Sequence, residues 1–135
     1  MDWVEIFIVL VLSHLVGDFL LQTNWQATHK FGGLRGGSSA ARRALFAHVL
    51  TYTLAFIPAL VWLSDSLGAG IVWVAALIAI PHLIQDDGRL LIAYLKRVKH
   101  VDAAPGDLVF MLVDQSVHLL ILAGIALLAA ASWAS

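Results

Sequence analysis

The sequence predicts an all-α bundle of four membrane-spanning helices, and three observations carry that prediction. The 135 residues are 61% hydrophobic and 13% charged, with mean hydropathy +0.89, the balance of an integral membrane domain. Four apolar segments are each long enough to cross about 30 Å of hydrocarbon at about 1.5 Å per residue. Each segment carries a histidine, and three of the four have an aspartate four residues away, on the same helical face.

The first segment, 3–22, holds His14, Asp18 and Gln22 at successive i+4 steps, one polar stripe on an apolar rod. Without a basic leader region or a small-residue cleavage site it reads as a mature helix. The connection over 23–43 contains Gly32-Gly33-Leu34-Arg35-Gly36-Gly37-Ser38-Ser39, which predicts a mobile loop with Ser38 or Ser39 capping the next helix. The second segment, 44–63, carries His48 and, one turn on, Tyr52, with Pro58 as a source of a kink. A short Gly-containing connection, 64–70, makes the third segment, 71–95, its antiparallel neighbour. That third segment carries Pro81, then His82 and Asp86. Asp87 points about 100° away from Asp86 and reads as solvated. Arg89 is placed either to pair with Asp86 or to snorkel. A turn at Ala104-Pro105-Gly106-Asp107 leads to the fourth segment, 108–131, with Asp114, Gln115 and His118. The whole chain, 1–135, reads as one domain.

Of eight Lys and Arg residues, Lys30, Arg35, Arg42 and Arg43 lie in the first connection and Lys96, Arg97 and Lys99 in the third. The positive-inside rule then puts both long connections in the cytoplasm and both termini outside. With alternating helix direction, His14, Asp18, His48, His82, Asp86, Asp114 and His118 share one slab about 10–15 Å thick, toward the cytoplasmic side. Interhelical hydrogen-bond glue ordinarily uses Ser, Thr, Asn or Gln. Ionisable groups in hydrocarbon are costly and point to function.

Imidazole and carboxylate on facing helices are ligands for a divalent metal, and i, i+4 spacing lets one helix offer two of them. With no cysteine, any metal must be held by nitrogen and oxygen. The seven residues are therefore the expected ligand set, for zinc first and manganese or iron second, with enough ligands for two ions. Gln22, Tyr52 and Gln115 are placed to orient them.

These words resemble a bacterial membrane family labelled domain of unknown function 3307. The matching stretches are His14-Leu15-Val16-Gly17-Asp18-Phe19-Leu20-Leu21-Gln22, His48 with Tyr52, His82-Leu83-Ile84-Gln85-Asp86 and Asp114-Gln115-Ser116-Val117-His118. The resemblance covers essentially the whole chain and implies a fold and a site but no reaction. Where that family places Tyr or Phe and a Lys after its third motif, this chain has Asp87, Gly88 and Arg89. A looser likeness, in His-x-x-x-Asp words on membrane helices, is to inner-membrane metal-dependent hydrolases.

The expected function is a metal-dependent hydrolase of an amphiphilic lipid or lipid phosphate, multi-pass in the inner (plasma) membrane. Asp18 is the expected general base, because Gly17 beside it leaves room for a substrate. The cationic rim of Arg42, Arg43, Lys96, Arg97 and Lys99 faces an anionic head group. A proton- or metal-ion transporter or channel subunit is the alternative, and a small scaffold with a structural metal is the third. The bilayer and an amphiphilic small molecule are the expected partners, with no nucleic acid, and the lipid-facing area would support a homodimer.

Overall fold

Apolar runs become helices throughout the computed structural model, which describes residues 2–133, and no strand occurs among them. Met1, Ala134 and Ser135 lie outside the described residues, and with them the two chain ends whose outward placement the sequence predicts. Helix α1 (Trp3–Leu15) starts at Asp2, whose side chain forms a capping box with Glu5. It then widens into a π-helical turn, Val16–Leu20, closed by Leu21 N–H donating to the Val16 carbonyl at 2.9 Å. The wide turn ends the helix before Gln22, so the third member of the expected stripe falls outside it.

The first connection is not an unstructured loop. Thr23 and Gln26 form a second capping box that starts α2 (Asn24–His29), and Gln26 and Lys30 are buried. Ser38 caps α3 (Ser39–Ala55) by accepting from Ala41 N–H at 3.1 Å. The expected helix over 44–63 is broken at Phe56. Pro58 sits in the first turn of α4 (Ile57–Leu67), because proline can neither donate to the preceding turn nor clear its carbonyl. Gly68, at φ 51° and ψ −127°, ends α4. After a 3-10 turn at Gly68–Gly70, α5 (Ile71–Asp86) runs on through Pro81.

The expected third helix, 71–95, is also two. Gly88 adopts φ 78°, and a Cβ there would lie 2.4 Å from Phe31 Cδ1, so conformation and space both require glycine. Helix α6 (Arg89–Arg97) follows, and α7 (Leu108–Trp133) closes the bundle. Three stretches are long and apolar enough to cross a membrane: Trp3–Leu20, Ile57–Asp86 and Leu108–Ser132. The expected fourth, through α3, is not among them.

Two halves of unlike chemistry result. Ile6, Leu10, Phe56, Leu63, Ile78 and Leu122 belong to one buried apolar cluster filling one half. Every buried histidine, aspartate and lysine among the described residues lies in the other half, from His14 through His118. The first connection closes that half. Gly32 N–H donates to the Asp87 carbonyl at 3.0 Å and Leu34 N–H to Asp87 Oδ1 at 2.8 Å. Arg89 pairs with Asp87 at 3.7 Å and donates to the carbonyls of Gly32 and Arg35. Asp87 is thus a buried anchor for the connection, not a solvated residue, and Arg89 pairs with it and not with Asp86.

Candidate metal centre

Four atoms from three helical elements, the π-helical turn, α3 and α5, meet at one point. His48 Nε2 lies 3.1 Å from His82 Nε2, 3.2 Å from Asp18 Oδ1 and 2.9 Å from Asp86 Oδ2. His82 Nε2 lies 3.7 Å from Asp18 Oδ1 and 3.4 Å from Asp86 Oδ2. All four residues are buried, and the set has the composition and spacing that can hold a metal ion. The edge of a tetrahedron with bonds of 2.0–2.1 Å is about 3.3 Å. Five of the six edges of the set, 2.9–3.7 Å, lie near that length, and all four atoms are within 4.8 Å of one another. Asp18 Oδ1, moreover, is buried with His48 Nε2 at 3.2 Å as its near polar neighbour.

A second layer fixes the first. His118 Nδ1 sits between the Asp114 carbonyl at 2.9 Å and Gln85 Nε2 at 2.5 Å; donating to the carbonyl, it leaves His118 Nε2 to accept from His82 Nδ1 at 2.7 Å. That chain commits His82 Nε2 as a free lone pair facing the cluster. Tyr52 stacks on the His82 ring, centroids 3.4 Å apart and 3° from parallel. A Cβ on Gly17 would lie 2.7 Å from Tyr52 Cδ2. The glycine therefore makes room for Tyr52, not for a substrate as the sequence reading had it.

Gln115 Nε2 donates to Asp18 Oδ2 at 3.1 Å and Asp114 Oδ2 at 3.3 Å, so its oxygen faces His14 Nε2 at 2.9 Å and accepts from it. His14 Nδ1 then accepts from the Tyr52 hydroxyl at 3.0 Å. Both nitrogens of His14 are thereby engaged by the protein, and His14 lies outside the converging atoms, although the sequence groups it with the ligands. Asp86, Asp114 and His118 form a second group within ligand reach of one another, with Asp86 common to both. Gln22, with its amide oxygen toward the first connection, accepts from Lys30 Nζ at 3.2 Å and donates to the Asp18 carbonyl at 3.0 Å.

Two members of the site were not singled out from the sequence. Lys30 reaches in from the first connection to Asp86 Oδ2 at 2.6 Å. Gln85 Nε2 donates to the Asp114 carbonyl at 2.6 Å and to Asp114 Oδ1 at 3.2 Å. A cavity of about 20 Å³ adjoins them, lined by Lys30, Phe31, Gln85, Asp86, Phe110 and Asp114. His29 and His100 are exposed and stand apart.

Fold and site together define a helical protein with membrane-length segments and a buried histidine–aspartate cluster fit for a metal ion. The chain belongs to the family described as Protein of unknown function (DUF3307), which it matches over residues 6–135. No curated protein and no solved structure matches it.

Proposed function

We propose that this is a membrane-embedded metal protein, a metal-dependent hydrolase of an amphiphilic lipid or lipid-phosphate substrate. The carrying observation is the converging set Asp18 Oδ1, His48 Nε2, His82 Nε2 and Asp86 Oδ2, whose two imidazoles and two carboxylates suit zinc first and manganese or iron second. A divalent ion there would supply Lewis acidity and an acidified water. The 20 Å³ cavity beside Asp86 is about the size of one water, with Lys30, Gln85, Asp86 and Asp114 as polar partners. Asp114 is the one cluster carboxylate outside the four-atom set. It is held by Gln85 and faces the same cavity, so in this reading Asp114, in place of Asp18, takes the proton from water.

The far half of the bundle, packed with Ile6, Leu10, Leu63 and Leu122, offers no polar route onward and weighs against a transporter. A structural metal is favoured by the same four-atom closure, and turnover separates the two. Purified protein is expected to retain metal and to release fatty acid or phosphate from vesicles of mixed phospholipid and phosphatidic acid. Asp114→Asn should keep the metal and lose turnover, whereas Asp18→Asn should lose the metal. Metal without turnover in the unaltered protein would sink the hydrolase reading and leave the structural one.

We further place four crossings in the inner (plasma) membrane, with α3 and α4 as one crossing broken at Phe56 and both termini outside. Reporter fusions at Gly36 and after Ser135 are expected to be cytoplasmic and external respectively. A cytoplasmic C-terminus would reverse the orientation and put the site on the outer side.

A further inference from the structure

We propose that the groove between α5, α6 and α7 binds the acyl chain of one anionic phospholipid, whose head group lies against the basic end of α6. The groove encloses about 400 Å³ and is walled by Pro81, Ile84, Leu90, Tyr94, Val117 and Ile121. Its one amide, Gln85, also lines the water-sized cavity and bonds Asp114, so one side chain stands between the groove and that cavity.

Helix α6 supplies the charge. At 100° per residue along α6, Leu90, Leu91, Tyr94 and Leu95 fall on one face, Arg89 and Lys96 on the opposite one and Arg97 at the edge between them, with Lys99 just past the helix end. Leu91 and Leu95 are buried against Phe110. Leu90, Tyr94 and Val98 are left exposed, which in a bilayer means facing acyl chains. From Gly88 to Val101 there is no acidic residue. An apolar slot walled by Leu90 and Tyr94, with Lys96, Arg97 and Lys99 at the end of the same helix, is complementary to a lipid with a negative head group, and not to a zwitterionic one. The inference rests on the membrane reading and names the class of lipid the centre would meet, but its test does not depend on the metal.

The test uses full-length protein in vesicles of equimolar phosphatidylglycerol and phosphatidylcholine, extracted into mild detergent, with retained lipids counted by native mass spectrometry. Each basic residue beside an anionic lipid is worth about a fivefold preference, so phosphatidylglycerol should dominate by tenfold or more. Changing Lys96, Arg97 and Lys99 together to Gln should equalise the two lipids. Val117→Trp, which fills the groove, should abolish retention of both. Should Val117→Trp not fold, Leu90→Trp at the exposed rim serves in its place. Equal retention of the two lipids by the unaltered protein, or undiminished retention by the Trp variants, would overturn the proposal. Metal content of the same samples reports on the centre separately: a metal-free protein that still selects phosphatidylglycerol would keep this inference and lose the hydrolase.

Discussion

Asp86→Ala is expected to lose the metal and to destabilise the fold by about 3–5 kcal/mol, the range for breaking a buried ion pair from one side. Asp86 Oδ2 belongs to the four-atom set and also holds Lys30 Nζ at 2.6 Å, where the lysine side chain is only 11% exposed. Removing the carboxylate leaves that ammonium without its counter-ion and takes a ligand from the centre. The double variant Asp86→Ala/Lys30→Met removes both charges. It should regain most of the stability while remaining metal-free, because a buried pair replaced by apolar groups is often neutral or better. Thermal unfolding in detergent and elemental analysis of the three proteins measure the two effects independently. A single variant that melts with the unaltered protein would mean that Lys30 is not held in the site, and the first connection would then be a loop after all.

That connection is where the sequence reading went furthest astray. Its glycines, Gly32 to Gly37, dominated the reading, while Thr23-Asn24-Trp25-Gln26 carries the spacing of a capping box and so the signal for α2. Without α2, Lys30 counts only toward the positive charge of the first connection. In the structure Thr23 turns the chain back so that Lys30 meets Asp86. Gly88 was a comparable lost signal: a glycine ending an apolar run marks a left-handed helix stop, and it separates α5 from α6 as Pro58 separates α3 from α4. Apolar length alone carries across such breaks, so the spans expected at 44–63 and 71–95 ran on where the chain is interrupted. The four histidines and three aspartates were legible because i, i+4 spacing is local. Which of them converge was not. A π-helical turn at Val16–Leu20 and the tautomers along Asp114, His118 and His82 depend on neighbouring helices that no local pattern encodes. Hence His14 stood beside Asp18 in the sequence, yet in the structure Tyr52 and Gln115 engage it and only Asp18 enters the set.

One divalent ion per chain is the expected stoichiometry, although the sequence supplies ligands enough for two. Asp18, Asp86 and Asp114 bring three negative charges into the cluster and Lys30 one positive charge, and Asp87 is balanced by Arg89. The remaining two negative charges are neutralised by a single divalent cation. A second would leave an excess of two positive charges buried among helices, a cost several kcal/mol deep. The geometry agrees, because His118 Nε2 is occupied as the acceptor of His82 Nδ1–H and orients that ring from behind. His48→Ala, which removes one of the four converging atoms, should then abolish binding. His118→Ala should weaken it by about 10–100-fold without changing the stoichiometry, the usual effect of losing a residue that orients a ligand. Titration with zinc under chelator competition reads both quantities on the same samples. Two tightly held ions per chain, one of them lost in His118→Ala, would instead make Asp86, Asp114 and His118 a second metal position with Asp86 bridging, and Asp114 could no longer be the base.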